Sequence, residues 1–197
     1  MKTARIILWV TVAAAAIALG ALYLRLHRAA EAPTQPAAQV SFGGPFTLVD
    51  SKGQPFASSR LAGRPYAIFF GFTHCPDVCP TTLGRLTKLR RQLGSDTAFS
   101  IVFVTVDPER DGPAEVGSYA ELFGSPVIGL TGSPDQIARV KKQYGIFSEK
   151  VGSGETYTVD HTATVLLFDK SGEFQSTISP DEGDAPALAK LRRLTNS

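Results

Sequence analysis

The 197-residue sequence predicts an α/β sandwich built on a mixed central sheet, preceded by one N-terminal transmembrane helix. Three observations carry this. An uncharged apolar run opens the chain, short apolar segments then alternate with amphipathic helical ones, and a hairpin pattern follows near the end.

Ile6–Leu24 runs for 19 residues without a charge, long enough to cross a bilayer core as a helix. Signal peptides have shorter apolar regions. Arg25, His27 and Arg28 also separate the run from the small residues around Ala30–Ala32, so residues 1–28 read as an uncleaved anchor. Lys2 and Arg5 on one flank nearly balance Arg25 and Arg28 on the other, which leaves the orientation open. Residues 29–41, rich in Ala, Pro and Gln, read as a tether. Residues 42–197 then form one domain, long enough to bury a real core.

Within that domain Phe46–Val49 predicts a strand entering the turn Asp50-Ser51-Lys52-Gly53. Tyr66–Phe72 and Phe99–Val106 are compact apolar runs of the kind found in buried strands. Between them Leu83, Leu86, Leu89 and Leu93 recur at helical spacing, with Arg85, Lys88 and Arg91 opposite as a solvated face. A helix from Pro113 to Phe123 and a strand at Val127–Leu130 follow. Ser133 and Pro134 then look like the N-cap and first-turn proline of a helix reaching Tyr144. Gly145–Gly154 reads as a loop. Val165–Phe168 and Phe174–Ile178 make a hairpin, and Asp184 caps a last helix with Leu188, Leu191 and Leu194 on one face. This order is compatible with a thioredoxin-like sandwich.

Charge narrows the function classes. Lys2, Arg5, Arg25 and Arg28 are four of the 20 basic residues and Glu31 is one of the 18 acidic ones, so the domain itself sits near −1. No concentrated basic face supports nucleic-acid binding.

Cys75 and Cys79 are the only cysteines, too close in sequence to staple a fold, and so read as functional. They follow a buried strand and open a helix, where unsatisfied N–H groups stabilise a thiolate and lower its pKa. Spacing of i and i+4 puts both sulfurs on one side of a helical turn, and Pro76 and Pro80 restrict the backbone there. Two soft sulfurs suit Cu(I), zinc or an iron–sulfur unit, but they need further ligands. His27 reads as an interfacial residue of the anchor. His74 adjoins Cys75, although neighbouring side chains usually point apart. His161, in Asp160-His161-Thr162-Ala163, reads locally as a loop histidine, yet a loop before the Val165 strand would lie near the cysteines in a thioredoxin-like sheet. Asp77 and Asp160 are candidate hydrogen-bond partners or weak oxygen donors. With Met1 the only methionine, the domain offers no thioether. Two sulfurs and one imidazole accept copper in both oxidation states, whereas structural zinc normally takes four protein ligands.

Two stretches carry a family resemblance. Gly71-Phe72-Thr73-His74-Cys75-Pro76-Asp77-Val78-Cys79-Pro80 resembles the cysteine motif of the Sco/SenC family, and Asp160-His161-Thr162 resembles its histidine motif. Similarity extends from Phe42 to about Ile178 and includes Asp107-Pro108-Glu109-Arg110-Asp111. The resemblance implies a thioredoxin-like copper chaperone of cytochrome c oxidase assembly, holding Cu(I) or Cu(II) on Cys75, Cys79 and His161. It implies delivery of copper, or of reducing equivalents, to the binuclear copper centre of oxidase subunit II. Another copper chaperone and a thioredoxin-like reductant are further expected partners. With no mitochondrial-type leader visible, the expected location is a bacterial inner membrane with the domain in the periplasm. A metallochaperone is favoured over a thiol–disulfide oxidoreductase because three residues, not two, separate the cysteines. The stretch before the Val165 strand also lacks the proline of those enzymes. Oxidation of the pair to a disulfide would abolish metal binding, so redox gating is compatible with either role.

Overall fold

The computed structural model describes Trp9, Ala14, residues 16–23 and residues 42–196. The chain forms two compact units that divide between residues 40 and 41. In the first, the described residues are helical and exposed. The anchor run Ile6–Leu24 lies partly outside the described residues, and the tether and His27 lie wholly outside them. Among the described residues no helix is long and apolar enough to cross a membrane.

The second unit is the predicted sandwich. Its strands are β1 (Thr47–Asp50), β2 (Pro55–Ala57), β3 (Tyr66–Gly71), β4 (Ser100–Thr105), β5 (Val127–Thr131), β6 (Ser148–Val151), β7 (Thr158–His161), β8 (Val165–Phe168) and β9 (Phe174–Ile178). Its helices are α1 (Val78–Gln92), α2 (Pro113–Glu121), α3 (Pro134–Gln143) and α4 (Asp184–Asn196). Seven strands form one mixed sheet in the order β2-β1-β5-β4-β3-β8-β9. The inner strands β3, β4 and β5 run parallel, while β1 and β8 flank them antiparallel. Parallel strands are covered on both faces, which is why Ala67, Ile68, Phe69 and Phe70 are all fully buried without alternation.

α1 turns Leu83, Leu86 and Leu89 into the core, as their spacing predicts. On its basic face Arg85 and Lys88 both reach Asp184 at the start of α4, at 2.8 and 3.0 Å. Arg90 departs from the solvated pattern. It is buried and donates to the carbonyls of Phe99 and Pro126 at 3.2 and 2.7 Å. Ser133 caps α3 reciprocally, its Oγ accepting from the Gln136 N–H while Gln136 Oε1 accepts from the Ser133 N–H. Leu191 and Leu194 of α4 are buried, with Leu188 packed at the edge of the core.

One predicted loop contains a strand. β6 falls inside Gly145–Gly154 and pairs antiparallel with β7 as a separate two-stranded sheet. β6 is short and mostly exposed, so it carries little apolar signal, and its pairing partner β7 lies beyond an intervening turn. His161, placed in a loop by its local sequence, is instead the last residue of β7.

Candidate metal centre

β3 brings the chain to the cysteine turn, and its last residue makes room for sulfur. A Cβ at Gly71 would sit 2.7 Å from Cys79 Sγ, 3.0 Å from Phe69 Cε1 and 3.1 Å from Phe103 Cε2. Cys75 is half-buried in the turn, and Cys79 is fully buried as the second residue of α1. The Cys79 N–H, one of the unpaired donors of a helix start, donates to Cys75 Sγ at 3.4 Å. At Cys79 the expected lowering does not occur, because burial in the apolar core pushes that thiol well above its ordinary range.

His161 arrives from the other side. Its Nε2 lies 3.4 Å from Cys79 Sγ. Its Nδ1 lies 3.0 Å from the Thr162 carbonyl, which can only accept, and the tautomer with its hydrogen on Nδ1 satisfies that contact while leaving the Nε2 lone pair free to ligate. The rings of Phe69 and Phe72 meet the imidazole edge-on at 6.0 and 5.8 Å. Burial lowers the His161 pKa, against the opposing pull of the Thr162 carbonyl, and so favours the neutral, ligating form. The donor atoms of Cys75, Cys79 and His161 all lie within 4.8 Å of one another. This donor set is what a soft or borderline transition metal requires.

The other candidates point elsewhere. His74 is half-exposed and turns its Nδ1 toward Thr73 Oγ1 and Asp111 Oδ1, at 3.1 and 3.5 Å. Asp77 accepts from the Thr81 hydroxyl at 3.2 Å, and Asp160 is exposed opposite Glu149 on the hairpin. A buried residue that sequence reasoning left without a role stands behind the turn. Asp111 accepts from the Thr73 N–H at 2.8 Å, the Thr73 hydroxyl at 2.6 Å and the Thr105 hydroxyl at 2.7 Å. Gly71 was likewise unassigned. Its only local signal is a glycine ending an apolar strand run, where close approach is a standing reason for that residue.

With this geometry in view, the relatives can be compared. The SCO1/SenC family model matches residues 34–196. This chain belongs to the SCO1/SenC family. Among its SCO relatives, an SCO2-like protein of Rickettsia prowazekii is 37% identical over 170 residues, covering 80% of this chain and 82% of the relative. ScoI of Bradyrhizobium japonicum, solved with copper bound, is 41% identical with a TM-score of 0.71, covering 78% of this chain and 99% of that one. Yeast Sco1, also solved with copper bound, is 33% identical with a TM-score of 0.71, covering 80% and 90% respectively. The thioredoxin-like Sco fold with its mixed central sheet is thus the fold of this domain.

Proposed function

We propose that this protein is a membrane-anchored copper metallochaperone that binds Cu(I) or Cu(II) through Cys75, Cys79 and His161. It would deliver copper to the binuclear copper centre of cytochrome c oxidase subunit II. One observation carries the reading: two sulfurs and an imidazole nitrogen converge within 4.8 Å, with Cys75 half-exposed at the opening. Copper bound to the Bradyrhizobium and yeast relatives supports the choice of metal. As cargo, copper enters by displacing thiol protons, and a ligand set of only three leaves room for an acceptor's donor atom during transfer. The expected test is metal analysis of the reduced protein. It should retain one copper per chain, and the Cys75→Ser, Cys79→Ser double variant should retain none. Stoichiometric copper in the double variant overturns the assignment.

The same reading makes residues 1–28 an uncleaved anchor in a bacterial inner membrane, 29–41 a tether and 42–197 a periplasmic domain. The uncharged run Ile6–Leu24 and the family resemblance support it. Added protease should digest the domain from the periplasmic side while the N-terminal mass stays intact, and a protected domain contradicts this. Another copper chaperone as donor and a thioredoxin-like reductant are the upstream partners, since a Cys75–Cys79 disulfide would remove both sulfurs from the metal.

A second reading, thiol–disulfide reduction of subunit II cysteines, draws on the accessibility of Cys75. In it Cys75 thiolate attacks a target disulfide, and Cys79 thiolate then releases the reduced target by closing the Cys75–Cys79 disulfide. The buried Cys79, with its thiol held protonated, is a poor resolving nucleophile. The geometry therefore favours metal transfer.

A further inference from the structure

His161 is carried on the hairpin of β6 and β7, and among the described residues neither strand pairs with the seven-stranded sheet. A lone two-stranded hairpin is marginal in water. Its polar attachment is concentrated on the loop that follows β4. The Tyr157 hydroxyl donates to Asp107 Oδ1 at 2.6 Å, and Asp107 has a fully buried side chain. Arg110 donates from Nη1 to the Tyr157 carbonyl at 2.9 Å and from Nε to Asp107 Oδ2 at 2.6 Å. Its guanidinium carbon also lies 3.6 Å from the centre of the Tyr157 ring, inside the range of a cation–π contact. Lys150 of β6 approaches the same ring at 4.7 Å and pairs with Glu109.

The far end of this loop holds the other half of the site. Asp111 accepts from both the backbone and the hydroxyl of Thr73, two residues before Cys75. One five-residue segment, Asp107–Asp111, thus grips the sulfur arm at one end and the nitrogen arm at the other. We infer that this loop is the spacer that sets the sulfur-to-nitrogen distance, and that Arg110 and Tyr157 are positioning residues for His161. The inference rests on the ligand set proposed above. Without the grip, the hairpin is left with the buried Val159 side chain, the Lys141–Ser148 bond, the ring contacts of His161 and its 3.4 Å contact with Cys79 Sγ. The domain then still folds, but Nε2 is no longer held at one separation from the sulfurs. Cu(II), which needs the nitrogen, responds to that freedom, whereas Cu(I) on two thiolates does not.

The test uses the full chain with Tyr157→Phe, which removes one oxygen, and Arg110→Met, which removes the fork while keeping an unbranched side chain. In the metal-free protein, amide hydrogen exchange across residues 148–161 should speed up about tenfold, the loss expected for one hydrogen bond to a charged group. Exchange in α1 should not change, which doubles as the check of folding. The His161 ring Nε2 resonance should broaden in both variants. In the copper-loaded variants Cu(I) stoichiometry should match the parent, while the nitrogen hyperfine pattern of the Cu(II) form spreads over several couplings. Unchanged hairpin exchange in both variants overturns the inference, and so does an unchanged nitrogen pattern in a hairpin that has loosened. Should Arg110→Met fail to fold, Tyr157→Phe decides. If the parent takes up no copper, the copper reading fails by itself, and the ring resonance still decides whether the loop positions His161.

Discussion

The strand that delivers the cysteines and the hairpin that delivers the histidine are held in place by different forces. β3 is buried at all six positions, and strands bond it along both edges, β4 on one side and β8 on the other. Hairpin strand β6 exposes three of its four residues, and β7 buries only Val159. On one side, then, the sulfurs are placed by core packing, which is dense and resists displacement. On the other, the nitrogen is placed by a few polar bonds and ring contacts, each of modest strength. Disturbing the sulfur arm should therefore damage the whole domain, and disturbing the nitrogen arm should act chiefly on the metal's surroundings.

The largest effect belongs to Gly71→Ala. The new methyl group would fall 2.7 Å from Cys79 Sγ, with aromatic carbons closing the other directions. Overpacking of this kind costs about 1–3 kcal/mol, read from chemical denaturation of the metal-free protein. Copper stoichiometry should fall with it, because the sulfur must move. A variant with parental stability and full copper would show that the sulfur arm is softer than its burial indicates.

His161→Ala should separate the two arms. Losing two edge-on ring contacts should lower stability by about 1 kcal/mol. The two remaining sulfurs should keep Cu(I), while Cu(II) loses its nitrogen signature and decays toward Cu(I) and disulfide. His74→Ala is the comparison and should leave that signature in place, since His74 faces Asp111 rather than the sulfurs. An electron paramagnetic resonance spectrum in which His74→Ala loses the nitrogen and His161→Ala keeps it would reverse the assignment.

The smallest effect lies on the outer side of the sulfur arm, where Lys88 and Arg85 of α1 hydrogen-bond Asp184 and lower its pKa from the ordinary 3.8. A carboxyl depressed in the folded state stabilises it above that ordinary value, and the contribution is lost as pH falls through the lowered one. Asp184→Asn should thus reduce Tm slightly near neutral pH, with the difference vanishing in strong acid. The exposed site keeps the effect small. A Tm difference that grows on acidification would reverse the sign and remove the ion pairs from the account.

How much of this was legible from residue order varies element by element. Tyr66–Phe72, the Leu83–Leu86–Leu89 spacing and the Ser133–Pro134 cap were readable because strand burial, helix periodicity and capping are local rules, satisfied within a few residues. The Cys75–Cys79 pair was readable for the same reason. Helix-end chemistry at Cys79 was misjudged because a pKa depends on what surrounds the thiol, and burial there outweighs the helix end. β6 was missed because its four residues bury almost nothing, and the Gly152-Ser153-Gly154 turn before Thr156-Tyr157-Thr158-Val159 was the one faint sign of a hairpin.

Amino-acid order by itself determined the buried strands of the main sheet, the helices of the domain and the two sulfurs, since each is decided among near neighbours in the chain. Only the tertiary structure decided which histidine faces those sulfurs. His74 is one residue from Cys75 yet turns away to Asp111, while His161 lies 82 positions from Cys79 and comes within 3.4 Å of it. The physical reason is that a strand's direction is local, whereas closure of the site depends on a hairpin docking onto a distant loop.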